Sequence, residues 1–401
     1  MFLLCVSVLA CSAGAQEPAP PKGATLSAAV AYALQHNPDI RSAGLRIDSA
    51  RAARRITGSY QNPTFGAAPG LPSQYSVSIP VDIGPPRTLR TRAAAYGYTA
   101  ATFDSLDVRR QLVFSVRQAF FDLLLADSLQ QLAVEQLDIF RQLLVSDSVR
   151  LQAGDIPAGN VAQSELQLAH ADARLLSADA NVRAARLTLQ TLMGVPHPDT
   201  GFIVSGALYY LALDLHPQAL LDTAYHIRPD LHAANVRIAQ SATEKSLATA
   251  LLFPTPTVDL VYQPAQPFTS GSHYAPGIGL QLPVWNWYSG ERERARAGVA
   301  LSQEAARKIQ LQISADVVTA ADSLATAQIL AERYTHGLLA KATAVLAVTR
   351  FSYTAGAASL LDLLNAIGTY ETIKTEFFNA THDYWVSAYA LSRAVGEDLI
   401  P

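Results

Sequence analysis

From Arg87 to Gln152 the chain runs without a proline. Its apolar positions fall at Leu112, Val116, Ala119, Leu123 and Ala126, then at Leu137, Phe140, Leu144 and Leu151, in steps of three, four or seven. That spacing predicts one long helix with a packed stripe. Ala153-Gly154-Asp155-Ile156-Pro157 stops it, with a glycine past the end and a proline shortly after. A second helix is expected from about Ala158 to Leu192, ended by Gly194-Val195-Pro196. Upstream, Thr25 or Ser27 caps a helix that runs to about Thr57. Between these helices the period changes. Tyr75-Ser76-Val77-Ser78-Ile79 alternates apolar with polar, and Asn62-Pro63, Pro69-Gly70 and Pro72 punctuate the stretch, so residues 61–83 read as a pair of strands.

The same order then recurs. Residues 216–252 are helical in pattern, Thr257–Tyr262 and Gly277–Leu282 alternate, and Trp287–Tyr353 is again a long proline-free helix. Ala355-Gly356-Ala357 turns the chain into a last helix, Ser359–Val395, ended by Gly396. Pro38-Asp39-Ile40 matches Pro229-Asp230-Leu231 at an offset of 191, and Pro63-Thr64 matches Pro254-Thr255 at the same offset. Beyond the strands the offset becomes 203 for Ile79-Pro80-Val81 against Leu282-Pro283-Val284, and 202 for Gly154 against Gly356 and Gly194 against Gly396. Near-constant offsets over such lengths indicate a tandem duplication. The units are 25–194 (strands about 61–83) and 216–396 (strands about 257–285), joined by a linker at 195–215 and followed by a tail at 397–401.

Lengths carry geometry. A helix of about 66 residues spans ~100 Å, and one of about 35 residues spans roughly half of that. Helices this long require coiled-coil neighbours. Four strands cannot close a membrane barrel, whose practical minimum is about eight, whereas three copies would supply twelve. Tyr60, Tyr75, Tyr262, Tyr274, Trp285 and Trp287 stand at strand ends, where an aromatic girdle belongs. Thr64–Ala68 is shorter than the ~9–11 residues of a spanning strand, so a barrel would carry this hairpin at its lowest edge or with a minimal loop.

Composition sharpens this picture. The 401 residues are 50% hydrophobic and 16% charged, with a mean hydropathy of +0.14, against roughly 25% charged in an ordinary soluble domain. After the first fifteen residues no run reaches the ~18–20 apolar residues of a spanning helix. A net charge of −3 excludes a basic nucleic-acid face. Both cysteines, Cys5 and Cys11, lie at the N-terminus. The apolar run Phe2–Ala10 followed by Ala13-Gly14-Ala15 reads as a signal peptide over 1–15, ahead of a Pro-rich lead-in at 16–24. Val8-Leu9-Ala10-Cys11 also resembles a lipobox, which would acylate Cys11. Cleavage after Ala15 would leave a mature chain without cysteine.

With the duplication in hand, the chain resembles the outer membrane efflux protein family, the TolC-like channels. The resemblance is carried by Leu26–Ile40, Asn62-Pro63, Ser78–Gly84, Ala119–Leu124, Ala153-Gly154, Gly194 and their second-unit partners. It implies a mainly α fold with a membrane β-barrel part: a trimeric α-barrel tunnel continued by a twelve-stranded barrel, four strands per chain. It further implies an outer-membrane channel subunit of a tripartite efflux or type I secretion system, with a long periplasmic extension. Such a subunit is passive, assembles as a homotrimer in outer-membrane lipid, and docks on a membrane fusion (adaptor) protein and an inner-membrane pump.

By resemblance the tunnel's constriction lies near the helix-turn tips at Gly154 and Gly356. The family's two tip aspartates fall on Asp362 and Asn365, the first-unit acid falls on Asn160, and a basic residue of some members falls on Ala358. Asp155 supplies charge at the first turn. In a trimer each aspartate becomes a ring of three charges that favours cations. Asp362 also reads as a helix N-terminal acid serving the dipole, and Asp155 as a solvated turn residue.

The nine histidines are scattered with no pair at i, i+4 and no HExxH, so neither metal ligands nor a cofactor is expected. No nucleophile constellation marks an enzyme. Arg51, Arg54 and Arg55, and likewise Glu291-Arg292-Glu293-Arg294 and Arg296, read as solvated faces or as headgroup contacts at a barrel rim. The contrasting class is a periplasmic coiled-coil adaptor that never enters lipid.

Overall fold

The computed structural model describes residues 23–70, 73–82, 84–211, 220–265 and 271–400. The signal peptide, most of the lead-in and Cys11 lie outside the described residues. α1 (Leu26–His36) opens on Thr25, whose Oγ1 accepts from the Ala28 amide. The expected single helix to Thr57 is in fact two. Pro38 lacks the amide to continue α1 and instead opens α2 (Pro38–Gly58), capped by Asn37 Oδ1 at 2.7 Å from the Asp39 amide. The second unit breaks the same way, into α5 (Leu220–Ile227) and α6 (Pro229–Ala250) at Arg228-Pro229.

α3 (Pro85–Gln152) has 68 residues and buries Leu112, Val116, Ala119, Leu123, Leu137 and Phe140, as the stripe predicts. Leu151 is exposed, because the buried face has drifted onto Leu143 and Asp147 by the last turns. α3 packs on α1, α2, α4, α6 and α9. α4 (Ala158–Met193) ends at Gly194, which packs so closely on the α1–α2 break that a Cβ would lie 2.6 Å from the His36 carbonyl. The second long helix differs from its expected form. It begins at Ser289 as α7 (Ser289–Arg333), passes through a π turn (Tyr334–Leu338), and continues as α8 (Leu339–Thr354). The π turn takes one extra residue into a turn and so rephases the helix face. Tyr334 uses this placement to donate to Glu376 Oε2 at 2.8 Å. α9 (Leu360–Val395) closes the fold.

The two halves share a docking device. Asn37 Nδ2 donates to the Leu192 carbonyl at 2.7 Å, and Arg228 Nη1 donates to the Ala394 carbonyl at 3.2 Å. In each half, the residue before a helix-opening proline ties the break to the carbonyl two residues before a terminal glycine. The linker lies across α9 as a strap. Trp385 Nε1 donates to the Tyr209 carbonyl and the Tyr384 hydroxyl donates to the Leu211 carbonyl. Around it, α1, the middle of α3 and the ends of α4, α7 and α9 form the main core; a second core lies toward the turns and includes Phe140, Tyr353 and Ile367.

Four strands make one antiparallel sheet in the order β1-β2-β3-β4: β1 (Thr64–Ala68), β2 (Gln74–Pro80), β3 (Pro256–Gln263) and β4 (His273–Leu280). The last strand starts four residues before the expected Gly277 and ends before Leu282. The β2–β3 pairing, with Tyr75 opposite Tyr262 and Ser78 opposite Asp259, joins the two halves. Among the described residues, β1 and β4 have no partner on their outer edges.

Candidate functional site

The strand register divides the sheet into two chemically distinct faces. Partners share a face, and residues two apart share a face. Phe65, Tyr75, Val77, Ile79, Val258, Leu260, Tyr262, Tyr274, Ile278 and Leu280 therefore stand together on one side. This side is apolar throughout and exposed in the single chain; Ile278 is 77% exposed. The opposite side carries Gln74, Ser76, Ser78, Thr257, Asp259, Gln263 and His273, with Val261 and Pro80, among small residues. Gly279 keeps that side low: a Cβ there would lie 2.5 Å from Thr257 Oγ1. A sheet apolar on one face and polar on the other matches a wall between lipid and a water-filled lumen.

Aromatic rings mark both ends of the strands. Toward the hairpin-loop end, Tyr75, Tyr262 and Tyr274 form a row across the register, with successive centroids 6.3 and 4.9 Å apart, and Phe65, opposite Val77, meets Tyr75 diagonally at 6.4 Å. At the helix end stand Tyr60, Trp285 and Trp287, all exposed, Trp285 at 96%. Two aromatic levels separated by an apolar band are the signature of a membrane-spanning strand layer. Among the described residues, no helix is long and apolar enough to cross a membrane.

At the far end of the helices the two turns are built alike. Gly154 (φ +81°) and Gly356 (φ +75°) take the left-handed conformation that glycine allows without a Cβ clash. The Asp155 amide reaches back to the Arg150 carbonyl at 2.9 Å, and the Ala357 amide to the Ser352 carbonyl at 2.8 Å. Asp155 is exposed, and Asn160 is half-buried in the first turn of α4, its amide bonded to the Pro157 carbonyl. Asp362 is exposed in the first turn of α9 and takes part in a capping box. Its Oδ2 accepts from the Ser359 amide at 3.0 Å and the Ser359 hydroxyl at 2.6 Å, while its own amide donates back to Ser359 Oγ. The bonds from the Ser359 hydroxyl and amide hold its carboxyl below the usual range. Asn365 lies one turn further on, exposed. Among the described residues these four side chains make no hydrogen bond to one another; each belongs to its own turn.

What joins the two turns is a buried group outside that set. Asp147 on α3 is fully buried. Its Oδ1 accepts from the Tyr353 hydroxyl on α8 at 2.6 Å, and its Oδ2 from the Ser164 hydroxyl on α4 at 2.5 Å. Arg150 adds a bond to the Tyr353 carbonyl at 3.3 Å and lies 5.0 Å over the Tyr353 ring. Burial, then the bond to Asp147, pushes the Tyr353 phenol up to about 12. Further polar links run between the halves: Arg350 to Gln142, Arg174 to Glu371, and Lys374 and Tyr370 to Glu135. The signal for Asp147 was present in the sequence, as an acid on the buried face of the α3 stripe.

Comparison with known proteins places these features. The family model described as outer membrane efflux protein matches residues 29–195 and 220–397. The outer membrane efflux protein BepC of Brucella suis biovar 1 is 26% identical over 400 residues, covering 93% of this chain and 85% of that protein. The cobalt-zinc-cadmium resistance protein CzcC of Cupriavidus metallidurans is 22% identical over 380 residues, covering 93% and 90%. The crystal structure of the Campylobacter jejuni CmeC outer membrane channel superposes with a TM-score of 0.81 at 15% identity, covering 93% of this chain and 86% of that one. The fold is thus that of a helical tunnel with a small strand layer, and its place is the outer membrane with a long periplasmic extension. The chain belongs to the outer membrane efflux protein family.

Proposed function

We propose that three copies of this chain close into one conduit, twelve strands forming the barrel and the helices the periplasmic tunnel, through which exported small molecules or ions pass without chemical change. The observation that carries this reading is the sheet: one wholly apolar face, one polar face and two open edges. A chain working alone, or a periplasmic adaptor, has no use for an exposed apolar face ringed by aromatics. Closure by β1 of one copy against β4 of the next would satisfy both edges at once.

In this reading the two helix turns form the periplasmic mouth. Asp362 and Asp155 would place rings of three charges there, with Asn365 and Asn160 as neutral polar neighbours, and the mouth would favour cations. The Asp147–Tyr353 bond ties α8 to α3 immediately above it and resists separation of the helix pairs. An adaptor and an inner-membrane pump would dock on this end and supply cargo and energy. The relatives' printed names span metal resistance and pyoverdine export, so the cargo class follows the pump.

The test is reconstitution of the purified chain. Native mass spectrometry of detergent-extracted outer membranes should show a trimer, and planar bilayers should show stable conductance. A monomer without conductance overturns the reading.

A further inference from the structure

Charge is distributed unevenly at the foot of the strand layer. The segments that connect the strands to the helices, together with the two to three helical turns nearest them, residues 51–60, 81–92, 241–256 and 284–298, hold ten Lys and Arg against four Asp and Glu, in a chain whose net charge is −3. Two of these arginines are fixed by backbone rather than by an acid. Arg87 donates to the Gly58 carbonyl at 2.6 Å and lies 4.1 Å over the ring of Tyr60. Arg292 donates to the Trp287 and Tyr288 carbonyls, each at 3.3 Å. Both therefore sit directly beneath the exposed aromatics Tyr60, Trp285 and Trp287. Arg54, Arg55, Arg294 and Arg296 are exposed around them and make no ion pair among the described residues.

We propose that this cationic collar binds the phosphates of anionic glycerophospholipids in the periplasm-facing leaflet, so that the channel selects its own lipid annulus. The inference rests on the outer-membrane placement. An aromatic belt fixes the depth of the headgroup layer, and arginines one turn beyond it meet the phosphates. Arginine presents a planar fork of donors that matches phosphate oxygens two at a time. Holding Arg87 and Arg292 by backbone carbonyls leaves their charge uncancelled, where an acidic partner would have neutralised it. The opposite end of the strands lacks this feature: β1 to β4 carry a single charged residue, Asp259, on the polar face.

The protein contains its own reporters. Of its three tryptophans, Trp285 and Trp287 lie at the collar, and Trp385 is buried in the helical body. The full-length trimer would be reconstituted in phosphatidylethanolamine vesicles containing equal fractions of either brominated phosphatidylglycerol or brominated phosphatidylethanolamine, and tryptophan quenching compared. We expect a preference of roughly five-fold or more for the anionic lipid, lost at ~1 M salt where the screening length is about 3 Å. Arg54→Gln, Arg55→Gln, Arg294→Gln and Arg296→Gln together should bring the ratio toward one. The four matching Lys variants should keep most of the preference, and Arg183→Gln with Lys341→Gln, far along the helices, should leave it intact. Equal quenching by the two lipids in the unmodified protein overturns the collar while leaving the membrane placement standing. No quenching by either lipid overturns both.

Discussion

Tyr353 donates its phenolic hydrogen to the fully buried carboxylate of Asp147 at 2.6 Å, joining the last turns of α8 and α3. Tyr353→Phe keeps the ring and removes the donor, leaving one carboxylate oxygen buried and unpaired. A loss of about 1–3 kcal/mol is expected in denaturant unfolding, with raised single-channel conductance as the mouth loosens. Unchanged conductance would detach this bond from opening. The pH dependence has a definite sign. Folding raises the phenol to about 12, so its contribution is complete below the ordinary value near 10 and fades between there and about 12. Unfolding midpoints across that range should fall in the native protein and stay flatter in Tyr353→Phe.

Asp362 has two roles to separate, helix cap and mouth charge. Asp362→Ala removes both, whereas Ser359→Ala removes the cap hydroxyl and keeps the carboxylate. If the ring of charges sets selectivity, reversal potentials in a salt gradient should show lower cation preference for Asp362→Ala and near-native preference for Ser359→Ala. Equal loss in both variants would assign the effect to helix geometry. Because the carboxyl is held below its usual range, the cap persists at mildly acidic pH and weakens only as pH falls through that lowered value.

His382 on α9 lies between Asp122 of α3, at 2.7 Å, and Asp383, at 2.9 Å. Burial alone would push its pKa down, but the bonds and charges of the two aspartates override this and hold it above the ordinary value. Its contribution is therefore complete below about pH 6.5 and lost as pH rises through the raised value. The thermal midpoint should decline on going from mildly acidic to mildly alkaline buffer, and His382→Gln should flatten that decline. A native profile that rises with pH over this window would contradict the assignment.

Arg228 and Asn37 hold the same position in the two halves with different chemistry, and the cost of removing them should differ accordingly. The Arg228 side chain is only 4% exposed and pairs with Asp230 at 2.6 Å and Asp316 at 2.9 Å. Arg228→Met removes the nearest cation from both acids, although Arg110 at 4.0 Å still faces Asp230 and Gln312 still bonds Asp316, and should cost about 2–4 kcal/mol in chemical unfolding. Asn37→Ala loses a cap and one interhelix bond and should cost about 1–2 kcal/mol.

Much of the helical layout was legible because long helices repeat their signal many times. The α3 stripe, the glycine stops at Gly154 and Gly356, and the offsets near 202 each rest on several independent positions. The failures were local. The breaks at Pro38 and Pro229 were absorbed into continuous helices because flanking positions keep a helical period, and only the cap geometry at Asn37 shows the chain turning. His273–Pro276 has no clean alternation, so the start of β4 is not legible in the sequence; its strand character comes from pairing with β3. Asp147 falls on the buried face of the α3 stripe, but periodicity does not say what satisfies an acid there. Its burial depends on hydroxyls that α4 and α8 bring from Ser164 and Tyr353, a juxtaposition that no single helix encodes.

The unpaired outer edges of β1 and β4 also bear on biogenesis. A lone chain presents two open strand edges, among the described residues, beside an apolar face, which makes it a template for wrong pairing. If three copies close the barrel as proposed, mass action between them contributes to the stability of the strand layer. In the proposed trimer, the local concentration of chains, as much as their sequence, would then set how much closed barrel forms.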